Sequence, residues 1–178
     1  MALLDWSQCP AVERIPGMAG RAIAVVVIGV GASGLPLDFS LVLVALLSLA
    51  LSASLWWLYF SDEGAAEQAL QSAPPERRPV MALIGYGYWQ FGLLLGVIAV
   101  AAGLKKAVGA PTAELDTWIA CELAVGVALF VACDVGFRRA LGIPRGSVRL
   151  VAAAVALATI PLGTELDAKT QITALAAI

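Results

Sequence analysis

The sequence predicts an all-α protein, a polytopic transmembrane helix bundle of five spans plus a partial sixth. Three observations predict it. Of the 178 residues, 61% are hydrophobic and 13% charged, with a mean hydropathy of +0.90; a soluble domain carries roughly 45–50% apolar and about 25% charged residues. The sparse charges leave long uncharged gaps, and a helix needs ~20 apolar residues to cross ~30 Å of hydrocarbon. Aromatic residues gather where one gap closes, at Leu55-Trp56-Trp57-Leu58-Tyr59-Phe60, as an interfacial belt does.

The same arithmetic excludes several classes. Three cysteines are too few for a disulfide scaffold, a net charge of -2 does not suit nucleic acid, and the absence of histidine removes His-based triads and histidine metal sites. No catalytic residue, metal or cofactor is expected, and the expected partners are membrane lipids.

Residues 1–20 read as a cytoplasmic N-terminal segment and residues 21–178 as the membrane domain. The first span, 21–37, is rich in Val and Ile, and Gly29, Gly31, Gly34 and Pro36 loosen its second half. The second, 39–60, lies between Asp38 and Asp62 and ends on the aromatic belt. Ser61 to Ser72 carries Asp62, Glu63 and Glu67 among alanines behind a serine suited to an N-cap, so a short helix outside the bilayer is expected. Pro74, Pro75 and Pro79 with Arg77 and Arg78 make a polar hinge before the third span, 80–104, which Lys105 and Lys106 stop. The fourth span, 115–137, contains Glu122 and Asp134. The fifth, 150–164, is short and broken by Pro161, and residues 170–178 are a partial sixth.

Orientation follows from counting basic residues in alternate loops. Arg14, Arg21, Arg77, Arg78, Arg138, Arg139, Arg145 and Arg149 fall on one side, and Lys105, Lys106 and Lys169 on the other. A bacterial inner-membrane protein with a cytoplasmic N-terminus is expected, and no signal peptide is recognised.

The run Val25 to Leu35 enters Gly29-x-Gly31-x-x-Gly34, the spacing of a dinucleotide-binding turn. That fold needs an amphipathic helix next and an acid about 20 residues on. Pro36, Asp38 and an apolar run follow instead, so glycines that thin a membrane helix are the preferred reading.

In the third span Gly85, Gly92, Gly96 and Gly103 share one face at 100° per residue, with Gly92 and Gly96 forming Gly-x-x-x-Gly, a seam for close helix packing. Tyr86, Tyr88, Trp89 and Gln90 sit near its start, as interfacial anchors or, for Gln90, as the lining of a substrate or ion path. Intramembrane carboxylates are costly, and so Glu122 and Asp134 are candidate functional groups. Asp134 precedes Arg138 by four residues, in the helical order that favours an ion pair. Glu122 shares a face with Trp118, Gly126, Leu129 and Cys133, and either serves transport or snorkels to the near surface. Cys121 and Cys133 stand ~18 Å apart along one helix and cannot bond each other.

Several pieces, in order, resemble one family. They are Trp56-Trp57-Leu58-Tyr59-Phe60 followed by an acid and Ala65-Ala66-Glu67-Gln68-Ala69-Leu70, then Tyr86-x-Tyr88, Gly103-Leu104 before a loop with Pro111, and Phe137-Arg138-Arg139-x-Leu141-Gly142. The set is similar to the low temperature requirement protein A family of bacterial membrane proteins over most of residues 5–178, and to the second half of its longer members. That family carries His-x-x-Glu-Arg and Leu-Gly-Glu-Ser around the matching first span; here Gly17-x-x-Gly20-Arg21 and Val30-Gly31-Ala32-Ser33 stand there, so Arg21, Gly31 and Ser33 match. Arg21 thereby joins the candidate polar residues, and Gln68, Gln90 and Asp134 stand where the family has histidines.

The resemblance implies a class of membrane protein rather than a reaction. The leading reading is a transporter-like, proton- or cation-handling half-protein. The alternative is a structural or assembly subunit without transport activity, and a third reading is a membrane oxidoreductase using Gly29–Gly34. A homo-oligomer or a missing N-terminal half is expected to cover a groove beside the fifth span, with the Gly92/Gly96 seam as the closest contact.

Overall fold

The computed structural model describes residues 38–61, 63–110, 114–143 and 147–178. The N-terminal segment and the first span lie outside the described residues, and with them Arg21, Gly29–Gly34 and Cys9. All regular structure among the described residues is helical.

The first helix, α1 (Phe39–Phe60), has 22 residues, enough at 1.5 Å each for ~33 Å. Asp38 caps it, its Oδ1 accepting from the Leu41 N–H at 2.7 Å. Leu41, Val44, Ser48, Leu51 and Leu55 turn inward at helical spacing. The buried Ser48 hydroxyl donates to the Val44 carbonyl at 2.7 Å, so its polarity is satisfied within the helix.

Helix α2 (Glu63–Ser72) packs Ala66 on Phe137 and Leu141. Ser61, expected to cap α2, closes α1 instead: its N–H donates to the Trp57 carbonyl and its hydroxyl to that of Leu58. The Arg78 guanidinium reaches back to the Gln71 and Ala73 carbonyls at 2.6 and 2.8 Å, closing the end of α2.

The third predicted span is a continuous apolar helix in three parts. It comprises α3 (Arg78–Ala82), a π-helical turn (Leu83–Trp89) and α4 (Gln90–Gly109). The sequence pattern did not foretell the π turn. Aromatic packing described below holds it, and the Gln90 N–H reaches the Gly85 carbonyl five residues back.

Among the described residues helix α5 (Thr117–Ala140) is the most buried of the candidate spans, lying between α4 and α6 (Ser147–Ala158). The glycine seam of the third span meets α5 within the chain. A β-carbon on Gly96 would lie 2.9 Å from the Gly126 carbonyl and from the Phe130 amide nitrogen, and one on Gly103 would lie 2.7 Å from Leu123. On Gly92 it would overlap the Cys133 sulfur, and Gly85 rests on Phe137 and Leu141. The expected seam contact with a second copy or another half is therefore corrected: these glycines are consumed in bringing α4 and α5 together.

After α6 the chain turns at Thr159 and resumes as α7 (Ile160–Glu165), with Pro161 in its first turn. Proline has no N–H for the Leu157 carbonyl, so the helix breaks just before it. Helix α8 (Ala168–Ala177) is the partial sixth. It is not an exposed stub. Ala168, Gln171, Ile172 and Leu175 are buried, and α8 packs on α1 and α7. The Lys169 Nζ meets the Ser40 hydroxyl at 3.1 Å, and the Gln171 amide donates to the Ala120 carbonyl at 2.8 Å.

Among the described residues four helical segments are long and apolar enough to cross a membrane: Phe39–Ser72, Arg78–Gly109, Thr117–Ala140 and Val148–Glu165. Five such spans were expected; the first of them falls outside the described residues, and the ten-residue α8 is too short to count.

Candidate functional site

The ends of α1 and α5 and the starts of the π turn and α6 meet at one end of the bundle. Every described arginine lies at that end (Arg77, Arg78, Arg138, Arg139, Arg149), and every described lysine at the other (Lys105, Lys106, Lys169).

At the arginine end Asp134 is buried, 1% exposed. The Arg138 Nε donates to its Oδ2 at 2.9 Å, the i,i+4 pair the sequence showed. The Arg149 Nη1, from the first turn of α6, donates to the same oxygen. Both guanidiniums also reach the Leu58 carbonyl at the end of α1, at 3.4 and 3.5 Å. One carboxylate and one carbonyl thus tie three helices together. Two charged partners and a carbonyl are what a buried carboxylate and guanidinium need to offset lost hydration.

A second polar pair adjoins it. Tyr59 is the residue after Leu58, and its hydroxyl donates to the Gln90 Oε1 at 3.1 Å. The Phe137 ring, on the residue before Arg138, meets Tyr86 edge-on with centroids 5.1 Å apart and Tyr59 at 6.1 Å. A small cavity of about 30 Å³ opens here, lined by Tyr59, Tyr86, Asp134, Phe137 and Arg138 among others. Its lining mixes charged, aromatic and aliphatic side chains, and it is large enough for one or two waters.

The structure brings Asp134 and Gln90 to neighbouring positions and keeps Glu122 away from them. Glu122 lies near the start of α5, at the lysine end, where its Oε2 pairs with the Lys106 Nζ at 3.2 Å and both side chains are part-exposed. Trp118, on the same face, points outward at 80% exposure. Sequence reading missed Arg149, Tyr59 and the Leu58 carbonyl. Arg149 lies fifteen residues beyond Asp134 on another helix, where no periodicity connects them. The proximity of Tyr59 to Gln90 depends on the packing of α1 against α4. Among the described residues no three His, Cys, Asp or Glu side chains gather as a metal site would require.

Searches of curated proteins and of solved structures each found no match. A model of the bacterial low temperature requirement A protein matches residues 22–178, which takes in all four apolar segments Phe39–Ser72, Arg78–Gly109, Thr117–Ala140 and Val148–Glu165. With apolar helices over that length and a match to nearly the whole chain, the protein is a multi-pass membrane protein of the bacterial low temperature requirement A family.

Proposed function

We propose that the chain is a transporter-like half whose working locus is the arginine end, where Asp134, Arg138 and Arg149 adjoin the Tyr59–Gln90 pair. The observation that carries this reading is the cavity beside the buried charges: ionisable groups within a membrane bundle are costly, and here they border open space. The carboxylate is already shared by two guanidiniums and offers little to a cation. The solute class that suits the locus is therefore small and polar or anionic. Proton or cation handling belongs to Glu122, whose part-exposed pair with Lys106 can open. The arginine bias supports an inner-membrane protein with the arginine end, and so the N-terminus, in the cytoplasm.

The structural-subunit reading has its own support, since the bonds described at Asp134 all close within the chain. A homo-oligomer or a separate N-terminal half would then bind the outer apolar faces. Flux across proteoliposomes, measured for protons, sodium, chloride and small carboxylates, separates the readings. Anion or polar-solute flux lost in Arg149→Met supports the locus; proton flux lost only in Glu122→Gln moves it to the lysine end. No flux of any class favours the assembly subunit. The oxidoreductase reading rests on Gly29–Gly34, and an absorbance scan of purified protein for bound flavin tests it.

A further inference from the structure

The π turn is built from contacts that belong to one register only. Trp89 lies against Gly136, where a β-carbon would overlap the indole ring, Tyr86 sets its edge on Phe137, and Gly85 rests on Phe137 and Leu141. Relative to an α-helix, such a turn accommodates one extra residue with poorer hydrogen-bond geometry, and π segments recur at functional sites. Without those contacts the extra residue would be absorbed by rotating one flank through about 100°. The two flanks are unequally held. Helix α4 is fixed on α5 through Leu93, Gly96, Val100 and Gly103, whereas α3 has no buried residue among its five. Rotation therefore falls on α3 and the turn itself.

Tyr86 belongs to the turn and is also a wall of the cavity at Asp134 and Arg138. We propose that the π turn is a register switch that gates this cavity: in the π register Tyr86 closes it, and relaxation to an α register swings Tyr86 off Phe137 and opens the charged cluster to the arginine-end surface. Register shifts of helices occur on microsecond to millisecond timescales, suited to admitting a solute. The inference rests on the solute-handling reading for its purpose, but the motion can be measured without any flux.

The test uses a full-length protein in lipid nanodiscs with Cys9, Cys121 and Cys133 replaced and Ala66→Cys as reporter, since Ala66 lines the cavity and is 2% exposed. A water-soluble maleimide is the probe. Deleting Gly87 removes the extra residue and keeps both flanks in place, so labelling should fall at least tenfold. Gly136→Ala displaces Trp89 and should raise labelling at least tenfold. Equal labelling in all three folded proteins overturns the switch. Hydrogen exchange of the unaltered protein gives a second reading that no folding defect can obscure: amides of Leu83–Gln90 should exchange together and faster than those of Leu93–Val100, and equal protection also overturns it. If labelling and exchange switch while no solute crosses, the gate stands and the transport reading falls.

Discussion

The Gly96 and Gly126 backbones are in direct contact: a β-carbon on Gly96 would lie 2.9 Å from the Gly126 carbonyl oxygen, and one on Gly126 2.8 Å from the Val100 nitrogen. Both obstacles are main chain, which cannot rotate aside. Gly96→Ile should therefore force α4 and α5 apart and cost about 1–3 kcal/mol or more, read as a lowered unfolding temperature in detergent. Gly92 makes the contrast, because its obstacle is chiefly the Cys133 side chain. Gly92→Ala should destabilise, and adding Cys133→Ala should restore most of the loss; a double variant no better than the single would refute the contact.

Asp134 serves two guanidiniums at once, so removing its charge strands both. Asp134→Asn should cost about 3–5 kcal/mol, the range for breaking a buried ion pair from one side. Arg149→Met, which leaves Asp134 its bonded partner Arg138, should cost less. The order of the two denaturation midpoints in detergent checks this, and the reverse order would mean that Arg149 carries the cluster.

Glu122 and Lys106 form a part-exposed pair. Exposed pairs contribute roughly 0–1 kcal/mol, and Glu122→Gln should leave the unfolding temperature within a few degrees of the parent. A large drop would place the pair in a drier setting than its exposure indicates.

Asp167 caps α8, its Oδ1 accepting from the Thr170 hydroxyl and the Thr170 N–H at 2.7 and 2.8 Å. The hydroxyl bond, then the amide bond, lowers its pKa below the ordinary 3.8. A carboxylate with a depressed folded-state pKa contributes stability that is present above the unfolded value and lost as pH falls through the folded one. Amide exchange in α8 should thus accelerate selectively as pH drops below 3.8, after correction for intrinsic rates. Asp167→Ala should abolish that extra acceleration and cost about 1 kcal/mol at neutral pH.

Local spacing made part of this legible in the sequence. Asp134 and Arg138 lie one helical turn apart, so their pairing needed no knowledge of the fold, and Pro161 announced the break at Thr159. The glycine seam was equally visible, but the identity of the helix against it was not, because Gly126 on α5 reads as one small residue among many. Arg149 and Tyr59 reach the site only through packing between helices, which periodicity does not encode. The π turn escaped for a related reason: two glycines and three aromatics in Leu83–Trp89 weaken a helix without specifying a wider turn, and the extra residue is stabilised by Gly136 and Phe137 far along the chain.

The joint at Thr159 leaves two short rods where the Thr117–Ala140 crossing has one. Helix α6 is pinned at the arginine end by Arg149, and α7 at the opposite end by the Leu115 N–H, which donates to the Gly163 carbonyl at 3.0 Å. Val148–Glu165 has 18 residues, ~27 Å of helix against a hydrocarbon layer of ~30 Å, which makes it the shortest of the four described crossings. Both pins lead to the α5 segment, so α6 and α7 are held along it at their outer ends, and adjustment to bilayer thickness is left to the angle at the joint between them. The α4–α5 pair, in close contact through glycine backbones, has no such break between Gln90 and Gly109.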